Sequence, residues 1–434
     1  MSSSEQQNDN DGDLPAVVDI RPLLQRLWPD PAKQNVTAHE ISQAIAHIFT
    51  NRLSPVQTGS LLTALHFTAW DRRADVLAEA SAAMRRAAAE IDLEGLRAVV
   101  AKRGRPDGKY RGGLCDIVGT GGDSHNTFNI STTSSILASS LLLIAKHGNR
   151  ASTSKSGSAD LLMNVQPRSA KLSHVTPTTL ARIYDSGANY AFLFAPVFHP
   201  GMRHVAQVRR ELGWRTIFNL LGPLSNPVDA AAGDNIEARL IGVARDDLGP
   251  VFAEALRFAG ATKALVVCGR EQLDEVSCAG STLCWMLVED GVSESESESG
   301  SRSASEIRHF ELTPADFGLS AHPLADVSPG KEPRENAEIL RRILQGELAA
   351  DDPLVEFVLM NTAALFVVAG VCEADTSDMG HGDDGVVVKE RGPGGQRWKE
   401  GVRRARWAIA SGEAWRQWCR FVEVTNELPP AAAA

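Results

Sequence analysis

The sequence predicts an α/β protein in two parts: a small N-terminal helical domain and a larger domain built on a mostly parallel central sheet. Residues 16–92 carry repeated helix-start signals and no strand pattern. From Leu114 onward, short apolar runs alternate with helical patterns, as expected of parallel strands joined by crossover helices. The 434 residues, 43% of them apolar, allow two or three domains and a large core.

The first helix signal is a capping box, Thr37 with Glu40, after which Ile41, Ile45 and Ile48 share one face. Ser54, Pro55 and Gln57 repeat it as N-cap, first-turn proline and a glutamine able to reach back. An Ala-rich stretch from about Ala74 to Ile91 predicts a third helix. Strands are expected at Leu114–Val118, Leu142–Ala145, Ala238–Val243, Ala264–Cys268 and Trp285–Val288, with a helix at Leu248–Phe258. The last third reads as helices at Asn336–Leu348, Pro353–Val371, Trp398–Ser411 and Trp415–Val424.

A net charge of −10 argues against a nucleic-acid coat or a general binder of anionic membranes, both of which need a basic footprint. The six cysteines form no CxxC pair and read as reduced thiols. The polar, acidic start Met1–Asp13 is neither a secretory signal nor a transit peptide. The most apolar stretch, Phe357–Val371, is too short to span a bilayer and carries Asn361 and Thr362. A soluble, cytoplasmic protein is expected. Three segments read as insertions: Lys102–Gly113, the low-complexity 293–305, and the Gly- and Asp-rich 373–396. Together with residues 1–15, the last two are expected to be flexible, because such composition buries too little to order itself.

The strongest chemical signal is a gap in the acids. From Ser124 to Ala159 there are 36 residues without Asp or Glu, yet with Lys146, Arg150, Lys155, two histidines and fourteen Ser or Thr. A strand ending in Gly119–Asp123 (GTGGD), followed by the helix start Asn129, Ile130, Ser131, Thr132, suits an anion. Glycines let the backbone approach, and a helix N-terminus carries partial positive charge. It is not a dinucleotide fingerprint, because the third glycine position is Ser124; nor is it a P-loop, because Gly104–Lys109 is one residue short and precedes Tyr110. A second loop, KHGNR with STSKSGS, suits a ligand with two separated phosphates. Asp274 and Glu275, after a later strand, offer hard oxygens for Mg²⁺ shared with substrate phosphates. In 194–227, His199, Arg203 and Arg210 fall near one helical face with Arg209 beside it, which suits a small aromatic carboxylate.

GTGGD with TFNIST, KHGNR with SGSAD, HPGM with VRRELGWRTIFNLLGPLSNP, and the late Asp-Glu pair resemble the anthranilate phosphoribosyltransferase family. ELTPADFGL, Glu335–Ala337 and Asn361–Leu365 extend the likeness, which spans about residues 18–425 and is nearest to fungal-type members. The resemblance implies transfer of phosphoribosyl from phosphoribosyl pyrophosphate (PRPP) to anthranilate in L-tryptophan biosynthesis, with Mg²⁺ as cofactor, by a homodimer that binds neither nucleic acid nor membrane. It implies a helical domain of residues 16–100 rejoined at about 195–225, and an α/β domain of 113–194 and 226–425, with a cleft between them. PRPP would be bound by Gly119, Gly122, Asp123, Thr127, Asn129, Ile130, Ser131, Thr132, Lys146, His147, Gly148, Asn149, Arg150, Ser154 and Ser158. Ser131, Asp274 and Glu275 would hold the metal. Gly119, Asn149 and Arg209 would contact anthranilate, with His147, His199 and Pro223 lining its path; Lys146 and Arg209 would serve catalysis. Departures from the family pattern are Leu162–Met163 after SGSAD and Gly201 in HPGM. The rival readings are a pyrimidine nucleoside phosphorylase, which would lack the metal-holding pair, and a non-catalytic nucleic-acid-binding relative, which would need a basic cleft.

Overall fold

Seven strands form one sheet in the order β3-β2-β1-β4-β5-β6-β7: β1 Leu114–Gly119, β2 Leu143–Gly148, β3 Tyr190–Phe194, β4 Ile236–Gly242, β5 Ala264–Gly269, β6 Thr282–Val288 and β7 Glu306–Leu312. The computed structural model describes residues 17–151, 156–229, 236–288, 306–328 and 332–430. Strands β1 to β5 run parallel, whereas β6 and β7 are antiparallel. Every residue of β5 is buried, as a strand covered on both faces requires. Its alternate residues serve two cores: Leu265 and Val267 face one, Val266 and Cys268 the other.

The second of these cores belongs to the N-terminal helices. Thr37 and Glu40 form the predicted capping box of helix Ala38–Phe49, and Ser54 caps Pro55–Phe67. The Gln57 side chain does not reach back as expected; its Oε1 accepts the Ile20 N–H at 2.7 Å and so ties the start of helix Arg21–Arg26 to helix Pro55–Phe67. The Ala-rich helix stops at Arg86, and a further helix, Leu93–Arg103, follows it. Leu96 of that helix lies in the α/β core. Val205, Ile217, Phe218 and Leu221, by contrast, lie in the same core as the N-terminal bundle.

The other face of the sheet is closed by helix Pro353–Ala369, in which every residue from Val355 to Ala369 is buried. Helix Ile130–Ala138 packs against it. Four of the hydroxyls counted above as anion-site chemistry have a packing role instead. Ser134 donates to the Val358 carbonyl, and Ser135, Ser139 and Ser140 donate to carbonyls three residues back. Small side chains that satisfy their own polar atoms let the two helices approach closely.

Two of the three insertions are tied into the fold, against the flexibility expected of 373–396. Tyr110, within 102–113, is buried, with its hydroxyl bonded to the Gly113 carbonyl and the Leu143 N–H. Asp107 pairs at 2.6 Å with the fully buried Arg404, which also holds Glu400. Segment 373–396 has no strand but is firmly anchored. Arg403 binds Asp383 and Ser377, and Arg391 pairs with Glu373. Residues 1–15, Ser154 and the loop 293–305 lie outside the described residues.

Candidate active site

The sheet changes winding direction between β1 and β4. After β1 the chain builds β2 and β3 on one side, then returns to add β4 on the other, and ligands of such sheets bind at this switch point. Gly119 and Gly242 lie opposite each other at the two strand ends. Asp274, from the loop after β5, covers both. A Cβ on Gly119 would strike its carboxylate, and one on Gly242 its carbonyl. The Asp274 carboxylate accepts the Gly121 N–H at 2.6 Å, and Gly121 and Gly122 adopt the positive φ angles this turn requires. The His125 ring donates to the Glu271 carbonyl at 2.8 Å, a second tie between the glycine loop and the loop that carries Asp274.

The residues expected to hold metal converge. Asp274 and Glu275 are neighbours, and the Ser131 backbone N–H donates to the Glu275 carboxylate. Burial, then the nearby Asp123 charge, pushes the Asp274 carboxyl up to about 7. Glu275 is raised by burial and by Asp274. A crowd of carboxylates short of positive charge is the electrostatic condition that a hard divalent cation relieves, and the all-oxygen donor set fits Mg²⁺. Among the described residues no three acidic, histidine or cysteine side chains close a site alone.

Lys146 stands behind this group. Its ammonium is buried, donates to the Ile117 carbonyl at 2.7 Å, and faces Asp116, Glu275 and Asp274. Burial lowers its pKa from the ordinary lysine value while those three acids oppose the shift, and the side chain lies within the protein and does not project from the loop. Asn129 stands at the N-cap position without a side-chain cap bond and instead donates to the Ser156 carbonyl, while Thr132 donates to Ser158 at 2.8 Å, which joins the two loops. Ile130 is buried, Thr127 is half-buried, and Gly148 lies against the Phe192 ring, where a Cβ would crowd it. Asn149 and Arg150 are exposed on the second loop, and Arg150 pairs with Asp160 at 3.6 Å.

His147, His199 and Pro223 form a separate buried group. The histidine rings meet edge to face at 5.1 Å; His147 Nδ1 donates to the Gly222 carbonyl and His199 Nε2 to that of Ser225. His199 precedes helix Arg203–Leu212 and does not share its face, contrary to expectation, because the chain turns through Pro200–Met202. Within that helix Arg203 and Arg210 are exposed and Arg209 turns inward. Its guanidinium lies 5.7 Å from the Phe218 ring centroid and has no carboxylate partner among the described residues. Sequence reasoning passed over Arg215, Asp116 and Asn226. Arg215 bonds the glycine-loop carbonyls, and Asn226 bonds Asp116.

Two family models match the chain: the glycosyl transferase family helical bundle domain over residues 21–88, and the glycosyl transferase family a/b domain over 111–415. The anthranilate phosphoribosyltransferase of Schizosaccharomyces pombe is 39% identical over 88% of this chain and 91% of its own length. That of Saccharomyces cerevisiae is 35% identical over 86% and 87%. A solved structure of the S. cerevisiae enzyme in complex with PRPP and Mg superposes with a TM-score of 0.73 at 30% identity, covering 93% of this chain and 97% of that one. The Thermus thermophilus enzyme gives 0.68 at 32% identity, covering 93% and 99%. On this agreement of fold, site and sequence, the chain belongs to the anthranilate phosphoribosyltransferase family.

Proposed function

We propose that this protein transfers the phosphoribosyl group of PRPP to the amine of anthranilate, giving N-(5-phosphoribosyl)anthranilate and pyrophosphate in L-tryptophan biosynthesis. The observation that carries the reading is the seating of Asp274 on the β1 glycine loop. Two acids distant in sequence are held where a pyrophosphate on that loop would share a cation with them. Mg²⁺ bound at Ser131, Asp274 and Glu275 would supply positive charge to the departing pyrophosphate.

The protein's own residues supply the rest. Gly119, Gly122, Asn129 and Thr132 offer backbone N–H groups to phosphate oxygens, while the Ser131 N–H holds the Glu275 carboxylate. Lys146 balances the acidic pair from behind, so that the site's field favours an anionic leaving group. Arg209, its guanidinium 5.7 Å from the Phe218 ring centroid and without a carboxylate partner among the described residues, is suited to present two parallel N–H groups to the anthranilate carboxylate. An aromatic amine is neutral at pH 7, so no general base is assigned. His147 and His199, both held neutral by burial, wall the amine's approach without adding charge. Orienting the two reactants can account for roughly 7–11 kcal/mol of the barrier.

Residues 195–225 form one unit with the N-terminal helices, a reading supported by the shared core of Val205, Ile217 and Phe218. A homodimer fits the groove between helices Pro55–Phe67 and Arg203–Leu212, which Trp28, Val56, Phe67, Val208 and Leu212 line. Trp28, Val56 and Phe67 are 64–78% exposed there, an apolar cluster on the surface of the kind that can mark an interaction site. No helix among the described residues is long and apolar enough to cross a membrane, and a cytoplasmic location is in keeping with that. The deciding experiment follows the loss of anthranilate fluorescence with PRPP, with and without Mg²⁺. Metal-free phosphorolysis of thymidine in place of this turnover would reverse the assignment.

A further inference from the structure

Arg215 lies between helix Arg203–Leu212 and the short helix Phe218–Leu221, on the helical side of the cleft, and has no role in the reaction proposed above. Its Nη2 donates to the Gly121 carbonyl at 3.0 Å and reaches that of Thr120 at 3.5 Å. The Gly121 N–H, which belongs to the preceding Thr120–Gly121 peptide, is taken by Asp274. The loop between strand and helix is thus gripped from two directions, by residues that approach from two different parts of the chain. Gly122, at φ +80°, leaves the space for this grip, because a Cβ there would fall on the Arg215 guanidinium. The charge of Arg215 also faces Asp274 and Asp123.

We propose that Arg215 is a positioning residue for PRPP: from the helical side it fixes the loop conformation in which Gly121–Asp123 receives the pyrophosphate. The inference rests on the reaction proposed above. A guanidinium is suited to the task because its planar fork can donate to two carbonyls while keeping its charge toward the carboxylates, whereas a lysine ammonium is a point charge on a loose stem. Arg209, ten residues after His199 in the same structural unit, handles the other substrate, so the two arginines divide the reactants between them.

The test measures KM for each substrate, and the calorimetric Kd of PRPP in Mg²⁺, for the wild-type protein, Arg215→Ala, Arg215→Lys and Gly122→Ala. Loss of a charged hydrogen-bonding group predicts a rise of about 10- to 100-fold in KM and Kd for PRPP in Arg215→Ala, with the anthranilate KM within about twofold. Arg215→Lys recovers part of that loss. Gly122→Ala raises the same constants, and adding it to Arg215→Ala costs less than the product of the single effects, because the two changes damage one contact. An unchanged PRPP constant in Arg215→Ala, an equal rise for both substrates, or full multiplicativity in the double variant overturns the inference. If Arg215→Ala does not fold, Arg215→Lys and the Gly122→Ala pairing decide on the same readouts. A wild-type protein that binds PRPP but leaves anthranilate untouched refutes the reaction instead, and the Kd comparison still judges Arg215.

Discussion

The side-chain amide of Asn226 donates to Asp116 Oδ2 at 2.9 Å and to the Ala145 carbonyl at 2.8 Å, all within the protein interior. Through it the loop that carries Pro223 is fastened to β1 and β2 just beneath the site. Other parts of the chain hold the same loop. Arg85 donates to the Leu224 carbonyl, the two histidines bond Gly222 and Ser225, and Arg239 pairs with Asp229 at 2.9 Å.

Asn226→Ala should therefore cost about 2–4 kcal/mol of stability, since it strands a buried carboxylate and a buried carbonyl together. Asn226→Asp puts a second acid against Asp116. Two such groups can share a proton at low pH but repel when both are charged, so this variant should lose more stability at pH 8 than at pH 5. Urea unfolding at the two pH values measures both. Equal losses at the two pH values would show that Asp116 does not feel the substituted side chain.

The buried histidines set an acid limit on stability. Burial lowers His147 to about 3 and His199 to about 4, against 6.5 in an exposed group. The unfolded chain takes up protons below pH 6.5 while the folded protein does not, so their contribution is complete above that pH and is lost as pH falls toward 4. Between pH 7 and pH 5 each should withdraw on the order of 1–2 kcal/mol. His147→Asn and His199→Gln retain the nitrogen that bonds Gly222 or Ser225 but cannot titrate. The double variant should show a visibly flatter fall in urea midpoint over this range, and a slope as steep as the wild type's would place the acid sensitivity elsewhere.

Arg209→Ala should raise the KM for anthranilate roughly 10- to 100-fold, the worth of a charged hydrogen-bonded contact, with little change in the PRPP constant. Arg209→Lys should recover only part, because a point charge cannot reproduce a bidentate grip. Steady-state kinetics with each substrate varied in turn separates this effect from the opposite pattern expected of Arg215. A loss shared evenly by both substrates would remove Arg209 from the anthranilate subsite.

Much of this architecture is legible in the sequence where a local pattern governs it. The apolar runs of the parallel strands β1, β4 and β5, and of the antiparallel β6, mark themselves because each strand is largely buried on both faces. Helix Leu248–Phe258 and the capping box at Thr37 are likewise read from spacing alone. β7 is hidden because it is an edge strand, and EIRHFEL exposes charges where a central strand would be apolar. Segment 373–396 looks loose because composition counts apolar residues and not ion pairs, whereas its order comes from Arg403 gripping Asp383. In the site, GTGGD and Asp274–Glu275 announce themselves as motifs. Asp116 with Asn226 cannot, since they are 110 residues apart and each looks ordinary alone. Arg215 sits in plain view within RTIFN, yet only the folded chain brings it to Gly121.

The apolar groove on the helical unit gives a direct test of assembly. Val56 is 78% exposed in the first turn of helix Pro55–Phe67. An acid there favours the helix, because negative charge is welcome near an N-terminus. Burying that charge in a twofold contact, however, would cost several kcal/mol. Val56→Asp should keep the fold, by circular dichroism, and halve the particle mass in light scattering from that of a dimer. A wild-type mass of one chain, or a variant that stays paired, would move the contact away from this groove.

Asp274 should show a conflict between stability and function. Its carboxyl is raised to about 7, so in the folded protein without metal it favours the neutral form; that contribution to stability is present at low pH and lost as pH rises through about 7. At pH 8 without Mg²⁺, Asp274→Asn, which still accepts the Gly121 N–H, should be more stable than the wild type by roughly 1–3 kcal/mol. Adding Mg²⁺ and PRPP should reverse the order. A ligand at about 100 times its Kd stabilises the wild type by about 2.7 kcal/mol, and the variant, lacking the anionic oxygen, should gain little and turn over at least about 100-fold more slowly. Thermal unfolding with and without the two ligands measures both halves. An Asn variant less stable than the wild type in EDTA at pH 8, or stabilised equally by Mg²⁺ and PRPP, would mean that Asp274 is not a carboxylate held ready for a cation.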